Sequence, residues 1–344
     1  MSRHIDRFDP RTQLPPVLIR NPKSTFFSTT FAGGGEEFFD TEIAEWDHDV
    51  YRQPVARYAG EDITVEPTER STFKVNEIMT PKLQERRIIT GSHLKKRAFG
   101  ENAYSPNNVM ARLAALQAED LEFCADAVDN LIELQWAQFM TAGIIPIVGD
   151  GVDRVLDYGF ENKEVLTGGE RWGQTGVDIL DSMRRICDKL AREGHAVDEI
   201  YMAPDVWKAL YSNETIQKLL DLRRFEMGEI APEKIVKYGA AKPVGVLTDP
   251  WVTLYTQNST IPGTTTPHLP PGTVMYVSPD AKRNKIGFGA HMWQDPDGQW
   301  HWAPGRYIQE FHKEARPPRE ETLVTSRAMP IPFDMRSWYV QKVL

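Results

Sequence analysis

The sequence predicts an α+β protein, and three observations carry that reading. Residues 107–142 hold neither Gly nor Pro and repeat apolar residues at near-helical spacing. From residue 243 onward, short β-type runs dominate. Between these regions helices and strands follow one another without the strict alternation of a doubly wound chain. With 344 residues, 41% of them hydrophobic, the chain can bury a sizeable core, and its length suggests about two domains.

Residues 1–50 do not read as the start of a compact unit. They contain Pro15-Pro16, the triplet Gly33-Gly34-Gly35 and isolated aromatics (Phe26, Phe27, Phe38, Phe39) with no sustained period. Such a segment suits an arm that docks on another surface; a frayed terminus is the plain alternative. Residues 51–100 read as extended. Val55, the pair Ile63 and Val65, and the imperfect alternation of Phe73 to Ile78 suggest strands, punctuated by Pro67, Pro81 and Gly91. The segment is polar and mixed in charge, and a two-stranded excursion needs a surface to lie on.

The clearest element follows. Ser105 can cap a helix, Pro106 suits its first turn and Gly143 suits its stop. Val109, Leu113, Leu116, Phe123, Ala127, Leu131, Leu134 and Phe139 mark the stripe expected to face the core. Uninterrupted, this helix would be about 50 Å long; a break near Glu119-Asp120 is the alternative. A second helix is expected from Gly176 to Glu193. Thr175 and Asp178 resemble a capping box there, Leu180, Met183, Cys187 and Leu190 form its stripe, and Gly194 ends it. Then come a strand over Glu199–Met202, a helix from Pro204 through Leu210, and another, capped by Ser212 or Asn213, reaching Leu222-Arg223-Arg224. Strands are expected at Val244–Leu247, Val252–Thr256 and Thr273–Val277, with an exposed Thr- and Pro-rich loop over Asn258–Gly272. Asp295-Pro296-Asp297-Gly298 signals a turn, and Thr322–Ala328 and Arg336–Val343 read as extended. There is no internal repeat.

The formal net charge is −9. An acidic chain lacks the clustered Lys and Arg that grip phosphate, so it can lie near DNA without holding it tightly. The charged start, MSRHIDRFDPRTQ, does not read as a signal peptide, and no apolar run reaches bilayer length. Cys124 and Cys187 lie within helical patterns with no second ligand at metal spacing. They read as buried thiols of a reducing compartment.

Three strings invite chemistry. Ile144-Ile145-Pro146-Ile147-Val148-Gly149-Asp150-Gly151 resembles a strand entering a phosphate turn. The third glycine is absent, with Arg154 in its place, no long helix follows, and Pro146 sits badly in a central strand, so a hairpin turn is the expectation. His291 and His301 flank the 295–298 turn and could face each other across a hairpin, without an evident third ligand. The acidic run Glu36, Glu37, Asp40, Glu42, Glu45, Asp47, Asp49 lacks the glycine of a calcium loop and reads as a solvated or partner-facing surface. No catalytic, cofactor-binding or metal residues are expected, although a dyad assembled from distant residues stays open.

Several strings together resemble the phage lambda-type major capsid protein E family. They are Gln53-Pro54-Val55-Ala56, Lys82-Leu83-Gln84-Glu85-Arg86-Arg87-Ile88-Ile89, Ala203-Pro204-Asp205-Val206-Trp207 with Leu220-Asp221-Leu222-Arg223-Arg224, Thr273-Val274-Met275-Tyr276-Val277, Pro304-Gly305-Arg306-Tyr307 and Ser326-Arg327-Ala328-Met329-Pro330. Their joint order spans most of the chain. The resemblance implies the capsid fold shared by tailed phages and herpesviruses (Hong Kong 97-like). Its parts would be an N-terminal arm (1–50), an extended β-hairpin loop (51–100), a peripheral domain with a spine helix (101–195), an axial domain (196–315) and a return strand of the peripheral domain (316–344). It implies a non-enzymatic subunit, without cofactors, that self-assembles into hexamers and pentamers of an icosahedral virion head enclosing double-stranded DNA. Scaffolding protein, portal and a decoration protein would be its partners, DNA would be contacted non-specifically, no membrane would be involved, and assembly would occur in the host cytoplasm. The arm would reach over a neighbour, so that removing residues 1–40 would leave the subunit folded. Glu119, Asp120, Glu122, Asp126, Asp129 and Glu133 on the spine would form a strut facing DNA, or an ordinary solvated face. An encapsulin-like bacterial compartment shell and a cytoplasmic enzyme are the rival readings.

Overall fold

The computed structural model describes residues 25–48, 58, 74–96, 109–149, 151–174, 176–213, 216, 220–221, 241–294, 299–315 and 318–344. In chain order, α1 (Phe26–Phe31) leads to β1 (Glu36–Phe38), β2 (Ile43–His48), β3 (Lys74–Met79), β4 (Leu83–Thr90) and α2 (Gly91–Lys95). The long helix α3 (Val109–Ala142) follows, then β5 (Ile144–Gly149), β6 (Val152–Asp157), β7 (Lys163–Val165) and α4 (Ile179–Arg192). Next come β8 (Glu199–Met202), α5 (Pro204–Tyr211), β9 (Leu220–Asp221), β10 (Ala241–Thr248), β11 (Trp251–Gln257) and β12 (Thr273–Val277). The last strands are β13 (Lys285–Phe288), β14 (Ala290–Gln294), β15 (Trp300–Pro304), β16 (Ile308–Ala315), β17 (Pro318–Ser326), β18 (Ala328–Ile331) and β19 (Trp338–Lys342).

Helix α3 runs 34 residues without the break considered near Glu119-Asp120. It stops at Gly143, whose φ of 69° only glycine adopts easily and where a Cβ would lie 2.1 Å from that of Phe160. Its buried face meets the expected stripe only at Phe139. Cys124, Val128, Ile132, Trp136 and Met140 are buried beside it, whereas Val109, Phe123 and Leu131 are exposed. The helix carries apolar residues on two faces, and spacing alone does not say which one the sheet covers. Helix α4 buries the expected stripe of Leu180, Met183, Cys187 and Leu190, but it begins at Ile179 rather than Gly176, and its N-cap is Asp178, whose carboxylate accepts from the Asp181 N–H at 3.1 Å.

A seven-stranded mixed sheet, in the order β7-β19-β12-β8-β11-β10-β9, forms the largest layer. Every residue of β12 is buried, as a continuous apolar run in a sheet covered on both faces requires. A second, antiparallel sheet, β16-β17-β4, packs on α3. A third pairs β1 parallel with β13, and β13 antiparallel with β18. One hydrophobic cluster joins the phenylalanines of α1, helices α3 and α4, and the large sheet.

These sheets cross the expected boundaries. Residues 83–96, expected in the extended loop, form β4 and α2 against α3. Strand β16, expected in the axial domain, pairs with β17. Strand β19, expected beside the peripheral domain, lies between β12 and β7 in the large sheet. Leu220–Asp221, expected as the end of a helix, pairs as a strand with Val246 and Leu247. The loop after β11 is anchored rather than exposed throughout, since Ser259, His268 and Leu269 are buried. The turn expected at 295–298 and most of 51–73 lie outside the described residues.

Candidate functional site

The strings that invited chemistry are structural. Residues 144–149 pair in simple antiparallel register with 152–157, from Ile144↔Asp157 to Gly149↔Val152. This two-stranded ladder tolerates Pro146 and leads into no helix. His291 faces Ala303 and His301 faces Trp293, so the two histidines are offset rather than opposed. Burial, reinforced by Arg327 and Lys82, pushes His291 down to about 4, which keeps it neutral. Among the described residues no group of three His, Cys, Asp or Glu side chains could hold a metal ion. Both cysteines are free and buried, and burial raises both thiols, Cys187 to about 12.

One Ser–His pair escaped the sequence reading because its members are local to an irregular loop. Ser259 Oγ lies 3.0 Å from His268 Nδ1. Gln257 Nε2 donates to the same hydroxyl at 2.9 Å, the Ser259 N–H donates to Gln257 Oε1, and the His268 ring lies against Phe27. Serine and histidine are both buried, so the pair pins the loop to the core. His195 does similar work: its ring nitrogens lie 3.1 Å from the Asp280 carboxylate and 3.2 Å from that of Asp334, tying the end of α4 to two distant turns.

The N-terminal segment is more deeply integrated than an arm lying on a neighbour. Phe26, Phe27 and Phe31 are each at most 2% exposed; Phe26 packs edge-on against Phe27, Phe31 and Tyr201, and Phe31 edge-on against Tyr201. Thr25 provides no side-chain cap for α1. The cap comes instead from the spine: Glu133 accepts from the N–H of Phe27 at 2.7 Å, the N–H of Ser28 at 2.8 Å and the Ser28 hydroxyl at 2.7 Å. Burial raises the Glu133 carboxyl above its ordinary range, and the three donors pull it back. The glycine triplet is packed rather than hinged. Gly33 and Gly34 donate to the carbonyls of Lys282 and Asn284, and a Cβ on Gly33 would lie 2.4 Å from the Lys282 oxygen.

The acidic residues of α3 are largely consumed inside the subunit. Asp120 pairs with Arg87 at 2.9 Å, Asp129 accepts from the Tyr307 hydroxyl and lies 3.6 Å from Arg306, and Glu133 caps α1. At least three of the six members of the expected strut are therefore engaged within the subunit. The acidic run before β2 is also paired: Glu36 with Arg306, Glu37 with Lys285 and Glu42 with Arg327.

Two narrow ladders leave apolar side chains available for contact. Ladder β2–β3 runs in register from Ile43↔Met79 to His48↔Lys74 and forms a sheet of only two strands. Ladder β14–β15 is likewise two-stranded and exposes Met292, Trp300 and Trp302. The roots adjoin: Ala290 donates to the Thr41 carbonyl, and Thr80 donates to that of Glu42.

A long spine helix backed by a narrow sheet, a separate seven-stranded sheet and projecting two-stranded ladders describe a shell subunit of the Hong Kong 97-like class. In agreement, the fold is similar to that of a prophage protein of E. coli CFT073, with a TM-score of 0.64 and 19% identity over 93% of each chain. Looser likenesses include a chain of Gordonia phage Cozz (TM-score 0.49, 12% identity, 96% of this chain and 92% of that one) and one from the mature capsid of bacteriophage PhiM1 (0.49, 10%, 98% and 91%). The sequence matches the family model of phage major capsid protein E over residues 14–343, and the chain belongs to that family. No curated protein matches it significantly in sequence. The family is structural, so the chain is a phage capsid protein and not an enzyme, and its phage character sets aside the bacterial compartment shell. No helix among the described residues is long and apolar enough to cross a membrane.

Proposed function

We propose that copies of this chain associate as hexamers and pentamers that close into the icosahedral head of a tailed phage around its double-stranded DNA. The observation that carries this reading is the pair of narrow ladders, β2–β3 and β14–β15, which hold large apolar side chains outside the subunit's own core. Two-stranded ladders are marginal alone and gain stability from a second surface. In this reading the segment between β2 and β3 is the extended loop that lies on a neighbour. Helix α3 with β4, β16 and β17 is the peripheral domain, and the seven-stranded sheet with α4 and α5 is the axial domain. Scaffolding protein, portal and a decoration protein complete the head, and assembly takes place in the host cytoplasm. A net charge of −9 suits a wall that confines DNA without gripping it. Electron microscopy of the purified chain tests the proposal: closed shells with five- and six-fold clusters are expected, and discrete small oligomers alone would refute it.

A further inference from the structure

The β14–β15 ladder carries a charge-free apolar face. Its register pairs Ala290 with Pro304 and Met292 with Trp302, and because side chains alternate along each strand, Trp300 shares the side of these four residues. None is ionisable. Met292 is 67% exposed, Trp300 67% and Trp302 56%. The opposite side is turned inward, with His291 buried and Trp293 stacked on His301 at 5.7 Å. The contrast with the neighbouring hairpin is sharp. Strands β16 and β17 set Lys313 against Glu320 and Glu314 against Arg319, the pattern of a solvated surface.

We infer that the Met292/Trp300/Trp302 face is an interface that seats a second copy of this chain in the shell, an inference that rests on the assembly proposed above. Three observations choose this occupant. The composition is that of an interface centre, where Trp and Met concentrate and charge is depleted. The exposed area of the three side chains is roughly 300–450 Å², about half of what one partner contributes to a stable pairwise interface. Such a face cannot hold a dimer in dilute solution but suits one of several contacts made by each subunit of a closed array. Finally, the ladder shares its root with β2–β3, through the hydrogen bonds of Ala290 to Thr41 and Thr80 to Glu42. The face thus adjoins a second ladder that leaves apolar side chains exposed, Ile43 and Met79. Every subunit presents this face, so a component present in a few copies would leave most of these faces bare, whereas a second copy of the chain is available to each.

Hydroxyl-radical footprinting with mass spectrometry, on dilute subunits and on shells grown from this chain alone, tests the inference. Oxidation of Met292, Trp300 and Trp302 should be fast in the subunit and fall at least five-fold in the shell. The double variant Trp300→Ser with Trp302→Ser should melt like the parent yet need at least ten-fold more protein to assemble. Shells that form while the three side chains oxidise at the free-subunit rate would overturn the inference and leave the face to an accessory protein. Slow oxidation already in the dilute subunit would overturn it too, by showing the face covered within one chain. If the parent forms no shells under any condition, the assembly reading fails and takes this interface with it. Shells without protection defeat the interface alone.

Discussion

Glu133 offers the sharpest test of how the N-terminal segment is held. Glu133→Ala leaves a buried N–H on Phe27 and part-buried N–H and O–H groups on Ser28 without their acceptor. Hydrogen bonds to a charged group contribute about 1.5–3 kcal/mol each, and the loss of a helix cap costs about 1 kcal/mol. Relief of the carboxylate's desolvation opposes these terms, so a net loss of about 3 kcal/mol in local stability is expected. The three buried phenylalanines still hold α1 in place, so the helix should open more often rather than detach. Hydrogen exchange of the peptide covering residues 25–33 should therefore accelerate by roughly a hundred-fold, while peptides of α4 keep their protection. Glu133→Gln should fall between, because its amide presents one donor to a site built entirely of donors. Unchanged exchange in Glu133→Ala would refute the cap. The pH dependence has a definite sign. Burial raises the Glu133 carboxyl above 4.5, so the docked form holds a proton more firmly than an opened, solvated form. Stability from this group is fully present below the ordinary carboxylate range and is lost as pH rises through the raised value. Acidification from neutral toward about pH 5 should thus leave α1 docked or tighten it, with exchange referenced to intrinsic rates; Glu133→Gln should flatten that response.

Two further outcomes follow from burial. Ile132→Ala should destabilise the subunit by about 2–5 kcal/mol, whereas the adjacent Leu131→Ala, at a site 40% exposed, should move the denaturant midpoint little; a reversed order would place the core on the other face of α3. Deleting residues 1–40 removes Phe26, Phe27 and Phe31, each worth up to roughly 2–3 kcal/mol of burial, a sum comparable to a domain's whole stability. The truncated chain should lose its cooperative melting transition, and a sharp transition near the parent's would show that α1 only decorates the core.

Much of the architecture was legible because local signals agreed with the tertiary result. Glu199–Met202 and Thr273–Val277 are strands with the expected bounds, Pro204 opens α5, and the stripe of α4 faces inward. What stayed hidden depends on partners distant in sequence. The core-facing side of α3 is chosen by β4, β17 and α1, and no periodicity distinguishes Val128 and Ile132 from Leu131. Phe26 and Phe27 gave an aperiodic pattern because one short helix buries them against Tyr201 and His268 respectively, both far along the chain. Glu133 read as one acid among six, since its cap comes from backbone donors over a hundred positions away. The apolar face at Met292, Trp300 and Trp302 was hidden too, because it needed the register of a hairpin to bring its residues to one side.

The position of β19 sets an order of events during synthesis. It lies between β12 and β7, so β12 has no neighbour on that edge until Trp338–Lys342 has been translated. Trp338 also stacks on Phe160, packs against Phe139 and donates to the Met140 carbonyl, closing the end of α3 at the same moment. A ribosome-bound chain therefore carries its long helix and most of its strands while its central sheet is still open.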